Sequence, residues 1–123
     1  MGRDRAKRKF EYNEKGRDFV IGDLHGCSNQ FSRLIEEIKF DESKDRMFSV
    51  GDLVDRGPNS FDCLKLLEHD WFHACLGNHE IMCVDSIIIL LGGEKNSSLY
   101  TTWLNELSKK ELEYAFDLSL IHI

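Results

Sequence analysis

No stretch of the sequence reaches the roughly 18 consecutive apolar residues of a membrane-spanning helix, so none is expected. Residues 1–10 lack the apolar run of a secretory signal, and Met1-Gly2 is followed by Arg3-Asp4-Arg5-Ala6 without the Ser or Thr of a myristoylation signal. The four cysteines, Cys27, Cys63, Cys75 and Cys83, show no C-x-x-C spacing. That argues against a disulfide framework and for reduced, small apolar side chains in a cytoplasmic protein. No internal repeat, low-complexity segment or inter-domain linker interrupts the chain, and no recognisable nucleic-acid-binding motif is present.

What is present fits one domain of ordinary size. The chain has 123 residues, and its 41% hydrophobic composition is enough for a core. The net charge of −6 conceals an asymmetry, because residues 1–10 carry Arg3, Arg5, Lys7, Arg8 and Lys9 against Asp4 alone. Such an arm either contacts an anionic surface or is solvated; with no motif beside it, residues 1–16 read as a basic tail. Residues 17–123 read as the folded domain.

Three short apolar runs each deliver the chain into a glycine-flanked polar turn. Phe19-Val20-Ile21 enters Gly22-Asp23-Leu24-His25-Gly26, and Met47-Phe48-Ser49-Val50 enters Gly51-Asp52-Leu53-Val54-Asp55-Arg56-Gly57. Ala74-Cys75-Leu76 enters Gly77-Asn78-His79-Glu80. Acidic groups at a strand exit need a positive partner. If the first turn is extended, Asp23 and His25 share one side and can bind one ion together. Asp52 has two oxygens and can bridge two ions, and Asn78 offers a neutral carbonyl to the second. Two ions about 3.5–4 Å apart clamp the attacking and leaving oxygens of a displacement at phosphorus. Mixed nitrogen and oxygen ligands suit Mn, Fe or Zn better than Ca or Mg. Arg56 supplies a planar fork for phosphate oxygens. His79 is a candidate proton donor to the leaving group, with Asp55 to orient its other nitrogen. Singly, each of these is an ordinary turn, ion pair or helix start; the case rests on the three occurring together behind strands.

GDLHG at 22–26, GDLVDRG at 51–57 and GNHE at 77–80 resemble the N-terminal motifs of the calcineurin-like metallophosphoesterases. VDRG and GNHE point, within that family, to the serine/threonine phosphoprotein phosphatases, and Gly26-Cys27 and Trp71-Phe72 resemble the bacterial and phage members. The resemblance implies an α/β fold, the N-terminal part of the family's α/β sandwich, built as βαβαβ plus helices. It implies two divalent metal ions, Mn first and Fe or Zn next, held by Asp23, His25, Asp52 and Asn78. It further implies His79 as general acid paired with Asp55, Arg56 on the phosphate, and a phosphoprotein or small phosphoester as substrate. Dinucleoside polyphosphate hydrolases share the same pattern and stay open as an alternative. The family's second half supplies two more metal-binding histidines and another arginine, and these are not found before Ile123. His122 lacks the following Ala or Gly of such a histidine. A partial domain is therefore expected, either weakly active or an inactive remnant that binds metal or phosphate. Neither membrane nor nucleic acid is an expected partner, and the oligomeric state stays open.

The rest of the chain supplies the scaffold. Ser28 is a candidate cap for a helix with Phe31, Leu34, Ile35 and Ile38 on its core face. With strands at 19–21 and 47–50, this makes a βαβ unit that brings two site loops to one sheet edge. Pro58, the only proline, is placed at the first turn of a second helix carrying Phe61, Leu64, Leu66 and Leu67. His69 and His73 read as surface residues. Glu80 opens a third helix ending in the greasy run Ile87–Leu91, before Gly92-Gly93. A helix is expected around Leu99–Leu107, where Tyr100 and Trp103 either pack in the core or touch a substrate. Ser108-Lys109-Lys110-Glu111 is a capping box for a short helix to about Phe116, and 118–123 reads as a strand.

Overall fold

The structure, a computed structural model, describes residues 8–94 and 101–121. Three parallel strands form its sheet: β1 (Asp18–Ile21), β2 (Arg46–Ser49) and β3 (Phe72–Ala74), in that spatial order. Val20 pairs with Phe48 and Phe48 with His73, so all three strands end at one edge. Parallel strands joined through helical crossovers place consecutive strand exits side by side. Helices α1 (Ser28–Glu37) and α2 (Ser60–Lys65) supply the two crossovers, and α3 (Asn78–Leu91) and α4 (Lys109–Ile121) follow. A 3₁₀ turn, Leu66–Glu68, extends α2, and another, Thr102–Glu106, precedes α4.

Alternation along the strands sorts the side chains. Met47 and Phe72 are buried among Phe31, Leu64 and Leu67 in the main core. On the other face Val20 is 76% exposed and Val50 51%, with the Phe10 ring 4.9 Å from Phe48 and 4.6 Å from His73. Parallel sheets ordinarily bury both faces; here the arm before β1 covers part of the second. Asn13 donates to the Lys44 carbonyl at 2.9 Å and so ties this arm to the loop before β2. Among the described residues, no helix is long and apolar enough to cross a membrane.

Several local expectations need correction. β3 lies two residues earlier than Ala74–Leu76, because Phe72 is the buried anchor while Leu76 is 51% exposed on the way to the next turn. His73 is therefore inside β3, half-buried between Phe10 and Phe48, and burial holds its pKa below the usual histidine value. His69 is exposed and stacks on Trp71. Cys27 occupies the cap position of α1 and Ser28 is already helical; on that helix Phe31 is buried but Leu34 lies at the surface. Helix α2 starts at Ser60, after Pro58, because Asn59 N–H donates to the Gly26 carbonyl at 2.8 Å and Ser60 Oγ accepts from Asp55 N–H at 2.9 Å. Of the run on α3, Ile87 is fully buried, while Ile88, Ile89 and Leu91 are exposed.

The largest correction concerns the last segment. Leu118 is not in a strand: α4 runs through Ile121. Its capping box forms as expected, with Ser108 N–H on Glu111 Oε1 at 2.8 Å and Glu111 N–H on Ser108 Oγ at 3.1 Å. Leu112, Ala115 and Leu118 then recur every three residues and are buried, which is helical spacing. Ser119 is buried as well, its hydroxyl donating to the Ala115 carbonyl at 2.9 Å. Thr102–Glu106 is a 3₁₀ turn rather than an α-helix. Arg3, Asp4, Arg5, Lys7, Leu99, Tyr100 and His122 lie outside the described residues.

Candidate metal centre

The loops after β1 and β2 are laced together by backbone hydrogen bonds. His25 N–H donates to the Asp52 carbonyl (3.0 Å), Gly26 N–H to Leu53 (2.8 Å) and Gly57 N–H to His25 (2.7 Å). A side chain at Gly57 would collide first with the His25 carbonyl and then with the backbone of Gly26. Four non-glycine residues here have positive φ: His25 (42°), Asp52 (53°), Asp55 (72°) and Arg56 (77°). Each such conformation costs on the order of 1 kcal/mol and persists only where its surroundings impose it. His25 is therefore not extended; the turn, not strand alternation, brings it round to Asp23.

One ligand atom from each of Asp23, His25 and Asp52 lies within 4.8 Å of the others. His25 Nε2 is 3.6 Å from Asp23 Oδ2. Its other nitrogen, Nδ1, is 2.9 Å from the Val54 carbonyl, which can only accept, so Nδ1 carries the proton. That fixes the tautomer in which Nε2 presents its lone pair to the two carboxylates, a common arrangement behind metal-binding histidines. Donor atoms around one ion at about 2.1 Å lie within about 4.2 Å of each other. The trio thus fits a divalent ion after a contraction of a few tenths of an ångström.

Asp52 is held from a third direction. His79 N–H donates to its Oδ1 at 3.0 Å, across from the start of α3. His79 Nδ1 donates to Asp55 Oδ2 at 2.8 Å, and its ring meets that of His25 edge-on at 4.7 Å. Asp55 is fully buried and His79 nearly so. Asn78 is the exposed first residue of α3, and Arg56 is exposed on the loop beside Asp55. The structure therefore gathers Asp23, His25 and Asp52 into one cluster with the His79–Asp55 pair against it. Asn78 and Arg56 are exposed and adjoin His79 and Asp55 in the chain.

Two contributors were not legible as such in the sequence. Glu80, expected only to open a helix, is 0% exposed. Its carboxylate accepts the backbone N–H groups of Asp52 (2.6 Å), Leu53 (2.8 Å) and Gly77 (3.0 Å). The available signal was an acid three residues after a cap position, where it can reach back. Trp103 donates its indole N–H to Asp55 Oδ1 at 2.7 Å. Nothing in sequence spacing links two residues that far apart.

The sequence profile of the calcineurin-like phosphoesterases matches residues 19–120. The chain belongs to that family. Family members use divalent metals, and the Asp23, His25 and Asp52 cluster is a matching donor set. The chain is 43% identical over 86 residues to serine/threonine-protein phosphatase 1 of Salmonella typhimurium, covering 70% of this chain and 36% of that protein. It is 36% identical over 104 residues to serine/threonine-protein phosphatase 2 of Escherichia coli, covering 83% and 46%. A symmetrical bis(5'-nucleosyl)-tetraphosphatase of Buchnera aphidicola is 34% identical over 98 residues, covering 78% and 34%. Among solved structures, one provisionally named a diadenosine tetraphosphatase superposes with a TM-score of 0.62 at 28% identity, over 84% of this chain and 43% of the other. The chain spans less than half the length of these relatives.

Proposed function

We propose that this chain carries the metal-binding and proton-donating part of a phosphomonoesterase of the phosphoprotein serine/threonine phosphatase type. The observation that carries this is the convergence of Asp23, His25 and Asp52 within 4.8 Å, with the buried His79–Asp55 pair alongside. Asp23, His25, Asp52 and Asn78 would hold two divalent ions, with Asp52 the shared ligand; Mn would be the first choice, with Fe or Zn next. Such ions supply Lewis-acid polarisation of the phosphoryl group and a nucleophile at neutral pH.

The chain's own residues do the rest. Arg56 offers its guanidinium fork to the phosphate oxygens. Asp55 accepts a hydrogen bond from His79 Nδ1–H and so directs the opposite nitrogen, protonated as Nε2–H, toward the departing oxygen, to which Nε2 delivers its proton. The φ of +53° at Asp52 and the bond from His79 N–H fix the carboxylate's direction before any ion arrives.

Hydrolysis of phenyl phosphate, whose basic leaving group needs a proton, tests this reading in the presence of Mn²⁺. Turnover that falls about 100-fold or more in His79→Asn supports it. Wild-type turnover no greater than that of His79→Asn rejects it for this chain. A second reading, hydrolysis of dinucleoside polyphosphates, is favoured by the 34% identity to the Buchnera aphidicola tetraphosphatase over 78% of this chain. Comparing diadenosine tetraphosphate with a phosphoserine peptide separates the two.

A further inference from the structure

We propose that Trp103 is a positioning residue for proton donation, locking Asp55 so that Asp55 can hold His79. This rests on reading His79 as the proton donor. An aspartate's χ2 torsion is soft and roughly two-fold, so one hydrogen bond does not fix the carboxylate plane. Asp55 has two. Oδ2 faces His79 Nδ1 at 2.8 Å and Oδ1 faces the Trp103 indole N–H at 2.7 Å. The residue is fully buried, so a carboxylate oxygen without a donor would cost free energy and swing toward another.

The donor itself is held firmly. Trp103 sits in the 3₁₀ turn, flanked by Thr101 and Leu104, both fully buried. Thr101 Oγ1 lies 2.8 Å from Ser86 Oγ on α3, the helix that begins beside His79. Leu104 N–H returns to the Thr101 carbonyl at 3.1 Å. Helix α3 thus carries His79 at one end and, further along, anchors the turn that presents the indole. An indole N–H is a donor that neither titrates nor accepts. It keeps Oδ1 occupied without competing for the His79 proton.

The test replaces Trp103 by β-(3-benzothienyl)alanine, which keeps the ring shape and puts sulfur where the N–H was; Trp103→Phe is the second variant. Phenyl phosphate has a basic leaving group that needs a proton, whereas 4-nitrophenyl phosphate needs one far less. Kcat on phenyl phosphate is expected to fall about 10-fold or more, as when other supporting hydrogen bonds are lost. Kcat on 4-nitrophenyl phosphate and both KM values are expected to change far less. Equal losses on both substrates, or none, overturn the proposal. A readout independent of turnover separates it from the phosphoesterase reading itself. Nitrogen-15 and proton NMR of the His79 ring should show Nδ1–H strongly hydrogen-bonded to Asp55 in the wild type and that bond weakened or lost in the benzothienyl variant. Identical His79 ring signals in both proteins overturn the proposal whether or not the chain is active.

Discussion

Glu80 and Asp52 are joined by a 2.6 Å hydrogen bond from the Asp52 backbone N–H to the Glu80 Oε1 atom. Because the same carboxylate also takes the N–H groups of Leu53 and Gly77, one buried acid staples the β2 loop to the start of α3. Glu80→Gln keeps the shape but turns an NH₂ toward a backbone donor. Urea unfolding should show a loss of about 2–4 kcal/mol. Divalent-ion binding should weaken about 10-fold or more, because Asp52 loses its support. A loss below about 0.5 kcal/mol, the range of neutral surface changes, would contradict this role.

Gly77 and Gly22 should respond oppositely to alanine. A Cβ at Gly77 would lie 2.6 Å from Asp52 N, whereas one at Gly22 meets nothing within 4 Å. Gly77 has φ −90° and ψ 174°, which any residue adopts, so the penalty is contact alone. Gly77→Ala is expected to cost about 1–3 kcal/mol and to displace Asp52, while Gly22→Ala stays within about 0.5 kcal/mol. Thermal unfolding of the two variants, read with Mn²⁺ titration, checks both. Equal tolerance at the two positions would contradict the packing described.

The parts of this molecule that were legible in its sequence share a cause. Gly22–Gly26, Gly51–Gly57 and Gly77–Glu80 each put polar residues directly behind an apolar run, and parallel connection brings those exits to one edge. The family and the α/β architecture follow from that. Element ends were less legible, because Phe72 and Leu76 differ in burial rather than in residue class. Leu118-Ser119-Leu120-Ile121 alternates like a strand, yet the helix begun by the Ser108–Glu111 box carries through it on the burial of Leu112, Ala115 and Leu118. The Glu80 bonds to Asp52 and Leu53 and the Trp103–Asp55 bond join residues 27 or more positions apart and exist only once the sheet edge has formed.

The cysteines should divide by access. Burial pushes the Cys63 thiol up to about 12 and raises that of Cys83 as well. Cys75 is exposed, whereas Cys27 is half-buried with its thiol 3.8 Å from the His25 carbonyl. Thiolates, not thiols, react. Brief iodoacetamide treatment of native protein at pH 8, mapped by mass spectrometry, should label Cys75 first and spare Cys63 and Cys83 until denaturant is added. Labelling of Cys63 as fast as Cys75 would contradict this.

Asp45 links the arm to the sheet and to acid stability. The Arg17 guanidinium, 2.8 Å away, holds its carboxyl at about 2, below the ordinary 3.8, and the Asp41 and Arg17 backbone N–H groups add to this. A lowered folded-state value means stability that is present above the unfolded value near 3.8 and lost as pH falls toward 2. Discounted for the half-exposed Arg17, the contribution is about 1–2 kcal/mol at neutral pH. Asp45→Asn should lower stability at pH 7 by about that much and flatten its fall between pH 4 and 2. An unchanged acid limb in the variant would contradict the assignment.

Calorimetric titration of the full chain with Mn²⁺, wild type against Asp52→Asn, tests most directly whether Asp23, His25 and Asp52 form one metal centre. Saturable binding by the wild type that weakens about 100-fold or more in the variant is the result expected of a direct ligand rather than a supporting group. Absence of binding in the wild type, or equal affinity in the two proteins, would contradict the account.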